Sequence, residues 1–224
     1  MAMGSKNGTQ SAELVKHLQA TKVAVVDYGL ANIQSVVNAL ECFTPNVVVA
    51  EAPDQLVDAN KIVLPGVGHF DAGMQGLRGR GHIEALTELT LNQKIPTIGI
   101  CLGFQFLFEG SGEGIEPGLG WLPGRCEKIT ERPGIKVPHM GWSEVSCPRS
   151  TGLMSELTPP YEFYFVHSYC VPCVDDQEPF IAATCDHGTT FVAAVEHGNI
   201  FGTQFHPEKS QLAGMKLLET FLLS

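Results

Sequence analysis

Short apolar runs separated by amphipathic stretches fill the first half of the chain. Residues 22–27, 47–50, 62–64 and 97–100 each hold an apolar run without alternation, the pattern of strands buried on both faces. Residues 32–40 and 83–91 instead repeat their apolar positions at helical spacing. This strand–helix alternation predicts an α/β fold of three layers, a mostly parallel central sheet with helices on both faces. Beyond residue 126 the runs shorten to 162–166, 180–184, 191–196 and 200–205, read as an antiparallel extension of the sheet. A closing helix spans 210–223, with Ser210 in position to cap it. The Gly-rich stretch 109–120 reads as a mobile loop. Residues 1–21 read as a poorly ordered N-terminal extension in which 12–18 form a short helix. Residues 22–224 are then one domain.

In open parallel sheets, ligands bind beyond the carboxyl ends of the strands. Three segments carrying chemistry fall there. The first is Gly99-Ile100-Cys101-Leu102-Gly103, placed between a strand and an apolar helix over 102–108. A G-x-nucleophile-x-G turn is a nucleophile elbow. A thiol at a helix N-terminus also favours its thiolate, the attacking species. The second is Gln204-Phe205-His206-Pro207-Glu208. In extended chain, residues two apart share a face, so Glu208 orients the His206 imidazole while His206 serves Cys101 as base. The third is Pro65-Gly66-Val67-Gly68-His69-Phe70, a Gly-rich turn at a strand end. Its backbone suits an oxyanion hole, with the N–H groups of Val67 and Leu102 as donors. No Gly-Lys-Ser/Thr follows, so it is not a phosphate loop.

Together these motifs resemble class I (triad) glutamine amidotransferases, a flavodoxin-like α/β fold. Asp27-Tyr28-Gly29-Leu30-Ala31-Asn32-Ile33, Gly118-Leu119-Gly120-Trp121-Leu122-Pro123-Gly124, Val137-Pro138-His139-Met140-Gly141-Trp142 and Tyr164-Phe165-Val166-His167-Ser168-Tyr169 are similar to the glutaminase subunits of imidazole glycerol phosphate synthase. The likeness runs from about residue 22 to the C-terminus. It implies Cys101 as nucleophile forming a γ-glutamyl thioester, with His206 and Glu208 completing a triad. It places glutamine against Gly66, Gly68, Gln105, Ser168 and Tyr169. It implies a (β/α)₈-barrel cyclase as partner, which receives ammonia for histidine biosynthesis. Asn32, Met140, Trp142, Tyr164 and Lys209 would lie near that interface and the ammonia exit. One departure is Ser143, where the family usually has Asn. No cofactor or metal is implied.

Composition narrows the alternatives. A net charge of -10 at pH 7 argues against nonspecific nucleic-acid binding. No apolar run approaches the length of a membrane span, and no secretory signal is seen, so a cytoplasmic location is expected. Seven widely spaced cysteines do not form a disulfide framework. Cys170-Val171-Pro172-Cys173 lacks a second pair at zinc-site spacing. Cys42, Cys126, Cys147 and Cys185 are read as packing residues. His69, His82, His139, His187 and His197 show no ligand spacing, and His167 is read as structural. The rival functions are a paralogous amidotransferase subunit feeding another synthase, such as one for amino sugars, a stand-alone Cys hydrolase or peptidase, and a non-catalytic binding module.

Overall fold

The computed structural model describes residues 5–30, 32–147, 152–173 and 178–224, with side chains from residue 12 onward. Ala31 of the Asp-Tyr-Gly motif and residues 1–4 lie outside the described residues. The helix expected over 12–18 is longer. It is α1, Ser5–Ala20, and it seats Leu18 in the core, leaving 6% of that side chain exposed. After it come β1 (Val23–Val26), α2 (Ile33–Glu41), β2 (Val47–Ala50) and β3 (Lys61–Leu64). Next are α3 (Phe70–Gly79), α4 (His82–Thr87), β4 (Thr97–Ile100) and α5 (Leu102–Phe106). The second half holds β5 (Gly110–Ser111), β6 (Arg125–Lys128), β7 (His139–Glu144), β8 (Glu162–His167) and β9 (Tyr169–Cys170). It closes with β10 (Ile181–Asp186), β11 (Thr190–His197), β12 (Ile200–Thr203) and α6 (Gln211–Leu223).

The main sheet has the order β10-β11-β12-β4-β3-β1-β2. Strands β1 to β4 pair in parallel, as does β12 with β4. Only β10 and β11 are antiparallel. The segment expected to belong to the antiparallel extension is thus split, because β12 joins the parallel core. The period of two in β1 shows why helices cover both faces. Val23 and Val25 pack with α2 and α6, whereas Ala24 and Val26 pack with α3 and α4. Outside this sheet, β7 and β8 form a two-stranded ribbon, and β5-β6-β9 form a small three-stranded sheet.

Several local expectations change. The amphipathic stretch 83–91 ends its α-helix at Thr87 and finishes in a π-turn, Glu88–Asn92. The helix expected over 102–108 ends at Phe106. Ser210 occupies the cap position of α6, but its hydroxyl is spent elsewhere. It donates to the His206 carbonyl at 2.6 Å and accepts from Tyr164 N–H at 3.0 Å. The loop at 109–120 is tied down. Asp71 accepts from the N–H groups of Ile115 and Glu116, each at 3.0 Å, and these bonds hold its carboxyl below the usual carboxylate range. Glu113 accepts from Phe70 N–H at 2.8 Å, and Arg78 pairs with Glu116 at 2.6 Å. Cys126 and Cys185 are core residues as expected, but Cys42 is exposed and donates to the Asn38 carbonyl.

Candidate active site

The chain turns at Cys101 with φ 54 and ψ -103, a positive φ that costs a non-Gly residue about 1–2 kcal/mol. Such strain persists only where surrounding structure enforces it. Here Cys101 N–H donates to the Thr203 carbonyl at 2.8 Å, continuing the β12–β4 pairing past the strand end. The two glycines of the elbow serve close approach. A Cβ on Gly103 would lie 1.8 Å from the Leu64 carbonyl oxygen, and one on Gly99 would lie 2.6 Å from the Gly103 oxygen. α5 therefore presses directly on β3 and β4. It is little more than one turn long, so the helix dipole expected to act on the thiol is small.

The pairing Thr203↔Ile100 brings the end of β12 beside the end of β4. Three residues later stands His206, whose N–H donates to the Tyr164 carbonyl of β8 at 2.9 Å. The chain then does not stay extended. Pro207–Lys209 form a 3-10 turn, and it is this turn that returns Glu208 to the ring. Glu208 Oε1 lies 2.8 Å from His206 Nδ1, with both side chains 3% exposed. Burial by itself would lower the imidazole pKa. The charge of Cys101, then Glu208 hydrogen-bonded through Nδ1, outweigh it and carry His206 up to about 10. The environment thus favours the protonated ring over the neutral one. The ring Nε2 has no hydrogen-bond partner among the described residues.

The Gly-rich turn lies across from the elbow. Leu102 N–H donates to the Gly66 carbonyl at 3.4 Å. A planar trans peptide points its C=O and N–H oppositely, so the Val67 N–H is turned away from that of Leu102. The two donors expected to form an oxyanion hole do not converge. Gly66 itself is packed tightly, since a Cβ there would meet Leu102 Cβ, Gly103 N and the Tyr28 hydroxyl, each at 2.6 Å. A cavity of about 340 Å³ opens at the elbow, and its lining includes Val67, Gly68, Cys101, Leu102, Gln105, Ser168 and Tyr169. Every residue expected to contact substrate thus lines one space, except Gly66, which stands behind the turn.

The sequence profile of the family "Glutamine amidotransferase class-I" matches residues 24–224, which takes in all three segments. The chain belongs to the class-I glutamine amidotransferase family. Among its relatives, the imidazole glycerol phosphate synthase subunit HisH 2 of Pseudomonas aeruginosa is 42% identical, over 89% of this chain and 98% of the relative. The HisH subunit of Bdellovibrio bacteriovorus is 44% identical over the same shares. The chain is accordingly of the HisH type within the family. Solved structures share the fold at lower identity. PurLQS from Thermotoga maritima superimposes with a TM-score of 0.69 at 20% identity, covering 91% of this chain and 98% of the other. Another solved glutamine amidotransferase also gives 0.69, at 16% identity, over 90% of this chain and 97% of the other.

The cavity at the elbow also holds residues that the sequence pattern does not place there. Glu113, Pro138, Val166 and His167 line it, and Gln204 stands behind it. Glu113 comes from the loop expected to be mobile, and nothing in its spacing marks it. Gln204 is visible beside His206 but only as part of a motif. Its Nε2 donates to Cys101 Sγ at 3.8 Å. The residues expected at an interface gather on one side. Met140 and Trp142 point outward from β7, 63% and 47% exposed, and Trp142 meets Tyr164 edge-on with ring centroids 6.2 Å apart. Lys209 is exposed on the turn after His206, and Asn32 is exposed at the start of α2, which packs on that turn.

Histidines with no common spacing in sequence meet in the fold. His139 and His167 share a hydrogen bond of 3.1 Å, and His187 stacks on His139 with centroids 4.0 Å apart. Among the described residues no group of three His, Cys, Asp or Glu is arranged to hold a metal ion. Burial pushes His139 down to about 4 and His167 down to about 3. Both stay neutral in the fold, whereas each would be protonated below about 6.5 in the unfolded chain. Unfolding then takes up protons, and stability falls as pH drops from 6.5 toward 4 for His139 and 3 for His167. The pair is expected to remove on the order of 1–2 kcal/mol per pH unit in that window. Urea midpoints between pH 7.5 and 4.5 check this. His139→Gln should flatten the slope, and an unchanged slope would refute it.

Proposed function

We propose that the chain hydrolyses glutamine to glutamate and ammonia through a thioester on Cys101. The ammonia passes to a (β/α)₈-barrel cyclase that forms imidazole glycerol phosphate and an aminoimidazole carboxamide ribonucleotide in histidine biosynthesis. The observation that carries the reading is the buried His206–Glu208 pair coupled to Cys101, the thiol that lines the cavity, within a chain of the HisH type.

The chemistry follows from the geometry. The Cys101 thiolate attacks the side-chain amide carbon, and the carbonyl electron pair moves to oxygen. His206, cationic at the start, gives its Nε2 proton to the leaving amine, which departs as ammonia. Water then enters and His206 takes one of its protons. The hydroxide adds to the thioester carbonyl, and collapse releases glutamate and the thiolate. Glu208 holds the ring through Nδ1 throughout. Gln105 and Glu113 suit the α-ammonium of free glutamine, because Glu113 is the only charged side chain on the cavity wall among the described residues. That preference separates a glutaminase from a peptidase.

The Gly66 carbonyl occupies the Leu102 donor, so efficient turnover requires the 66–67 peptide to rotate and bring the Val67 N–H inward. A missing oxyanion donor costs roughly 10²–10³-fold in rate. The isolated chain is expected to hydrolyse glutamine slowly and to gain at least ~100-fold with the cyclase and its nucleotide substrate. Ammonia release measured alone and in the complex tests this. Equal rates would show that the hole is not gated, and stimulation only by a different synthase would move the chain to another pathway.

A further inference from the structure

A continuous line of hydrogen bonds runs from the exposed ribbon to the nucleophile. Ser143 Oγ lies 2.8 Å from His139 Nε2, and His139 Nδ1 lies 3.1 Å from His167 Nε2. His167 Nδ1 is 2.9 Å from the Tyr169 carbonyl. That carbonyl also accepts from Gln105 Nε2 at 2.9 Å, and Gln105 Nε2 reaches Gln204 Oε1 at 3.1 Å. Gln204 Nε2 ends the line at Cys101 Sγ, 3.8 Å away.

The direction of every bond is fixed by its last acceptor. A carbonyl oxygen only accepts, so His167 carries its proton on Nδ1. His167 is neutral, which leaves Nε2 as an acceptor, so His139 must donate from its Nδ1. His139 is neutral as well, and its Nε2 can only accept, so the Ser143 hydroxyl is the donor. The same logic sets the Gln105 amide. Both of its near partners, the Tyr169 carbonyl and Gln204 Oε1, are acceptors. They hold the NH₂ group and leave Oε1 for the cavity, where it can accept from an ammonium. The ring planes are fixed too, because His139 is sandwiched between Phe165, at 4.8 Å, and His187, at 4.0 Å.

We propose that Ser143, His139 and His167 are positioning residues, a relay of donors that ends on the Tyr169 carbonyl and fixes this acceptor. From the other side of that carbonyl the Gln105 amide, and through it Gln204 beside Cys101, is held for substrate binding. The relay begins on β7, the strand whose other face exposes Met140 and Trp142, so a partner seated there would act on the glutamine pocket through it. This rests on the glutaminase reading, and it extends that reading by naming what orients the substrate contacts. Replacing Ser143 with Ala leaves His139 Nε2 without its donor, loosens the His139–His167 pair, and so shifts the Tyr169 carbonyl that holds the Gln105 NH₂ group.

The test is steady-state hydrolysis of glutamine by Ser143→Ala, Ser143→Thr and the unaltered chain in complex with the cyclase, together with ¹⁵N NMR of the imidazoles. The Ala variant is expected to raise KM for glutamine about tenfold with a smaller change in kcat, the cost of one misplaced charge-assisted hydrogen bond. Thr, which keeps the hydroxyl, should restore KM. At pH 7, His139 and His167 should both show the Nδ1–H form. Unchanged KM in the Ala variant, or an Nε2–H tautomer on His167, would overturn the relay. Absence of hydrolysis by the unaltered complex would instead overturn the glutaminase reading, and the tautomers would then decide the relay alone.

Discussion

Cys101→Ala is expected to abolish glutamine hydrolysis, lowering the rate by roughly 10⁴-fold or more, as loss of a triad nucleophile does. Among the described residues Cys101 is the only thiol lining the cavity. The fold should tolerate the change, because Ala meets the same φ of 54 as Cys and removes only one buried atom. Partner binding should therefore persist. The variant also has a signature apart from rate. Cys101 is the leading cause that raises the His206 pKa against burial. With the sulfur gone, the imidazole pKa should fall well below its present value of about 10, and NMR titration of His206 reads this directly. Retained turnover would remove Cys101 from the mechanism, and an unmoved His206 would mean that Glu208 alone holds its proton.

The second large effect is structural. Gly103→Ala would place a Cβ 1.8 Å from the Leu64 carbonyl oxygen and 2.7 Å from its carbon. Both contacts are backbone, in the centre of the sheet, so neither yields by a rotamer change. Overpacking usually costs about 1–3 kcal/mol, and with no side chain able to move the loss here should reach about 3 kcal/mol or more. For a domain of this size that lowers Tm by roughly 10 °C. Gly79→Ala is the control. It stands at the end of α3 with nothing within 4 Å of the added Cβ. There the better helix propensity of Ala should stabilise by about 0.5–1 kcal/mol. Thermal melts of the two variants should therefore move in opposite directions. Similar melting temperatures would show that α5 shifts off β3 at little cost.

The glycine contrast also marks what can be read from residue order. Gly99 and Gly103 are legible as an elbow because the turn needs small residues at fixed offsets from the nucleophile. The surface each of them touches is not, since Leu64 lies far away in sequence. The parallel strands are legible for a similar reason. Burial on both faces leaves unbroken apolar runs such as 97–100, and no tertiary detail is needed to see them. By contrast, the run at 200–205 shows an antiparallel strand, which it is toward β11, but not its parallel pairing with β4, because an apolar run records burial and not the direction of its neighbour. Only the sheet order shows β12 beside β4, and that pairing is what brings His206 to Cys101.

The sequence by itself determined the α/β class and the motifs that mark the family, and it singled out Cys101, His206 and Glu208 as the candidate triad. These depend on short-range spacing and on chemistry that few residue types can perform. The tertiary structure alone decided the rest. It tied the loop at 109–120 so that Glu113 faces the cavity, and it turned the Gly66 carbonyl onto the Leu102 N–H. It also drew His139, His167 and Ser143 into line with Gln105. Each of these is a contact between segments distant in the chain, where one peptide rotation or one hydrogen bond sets the outcome. A single peptide orientation or tautomer leaves no trace in the periodicity of a sequence.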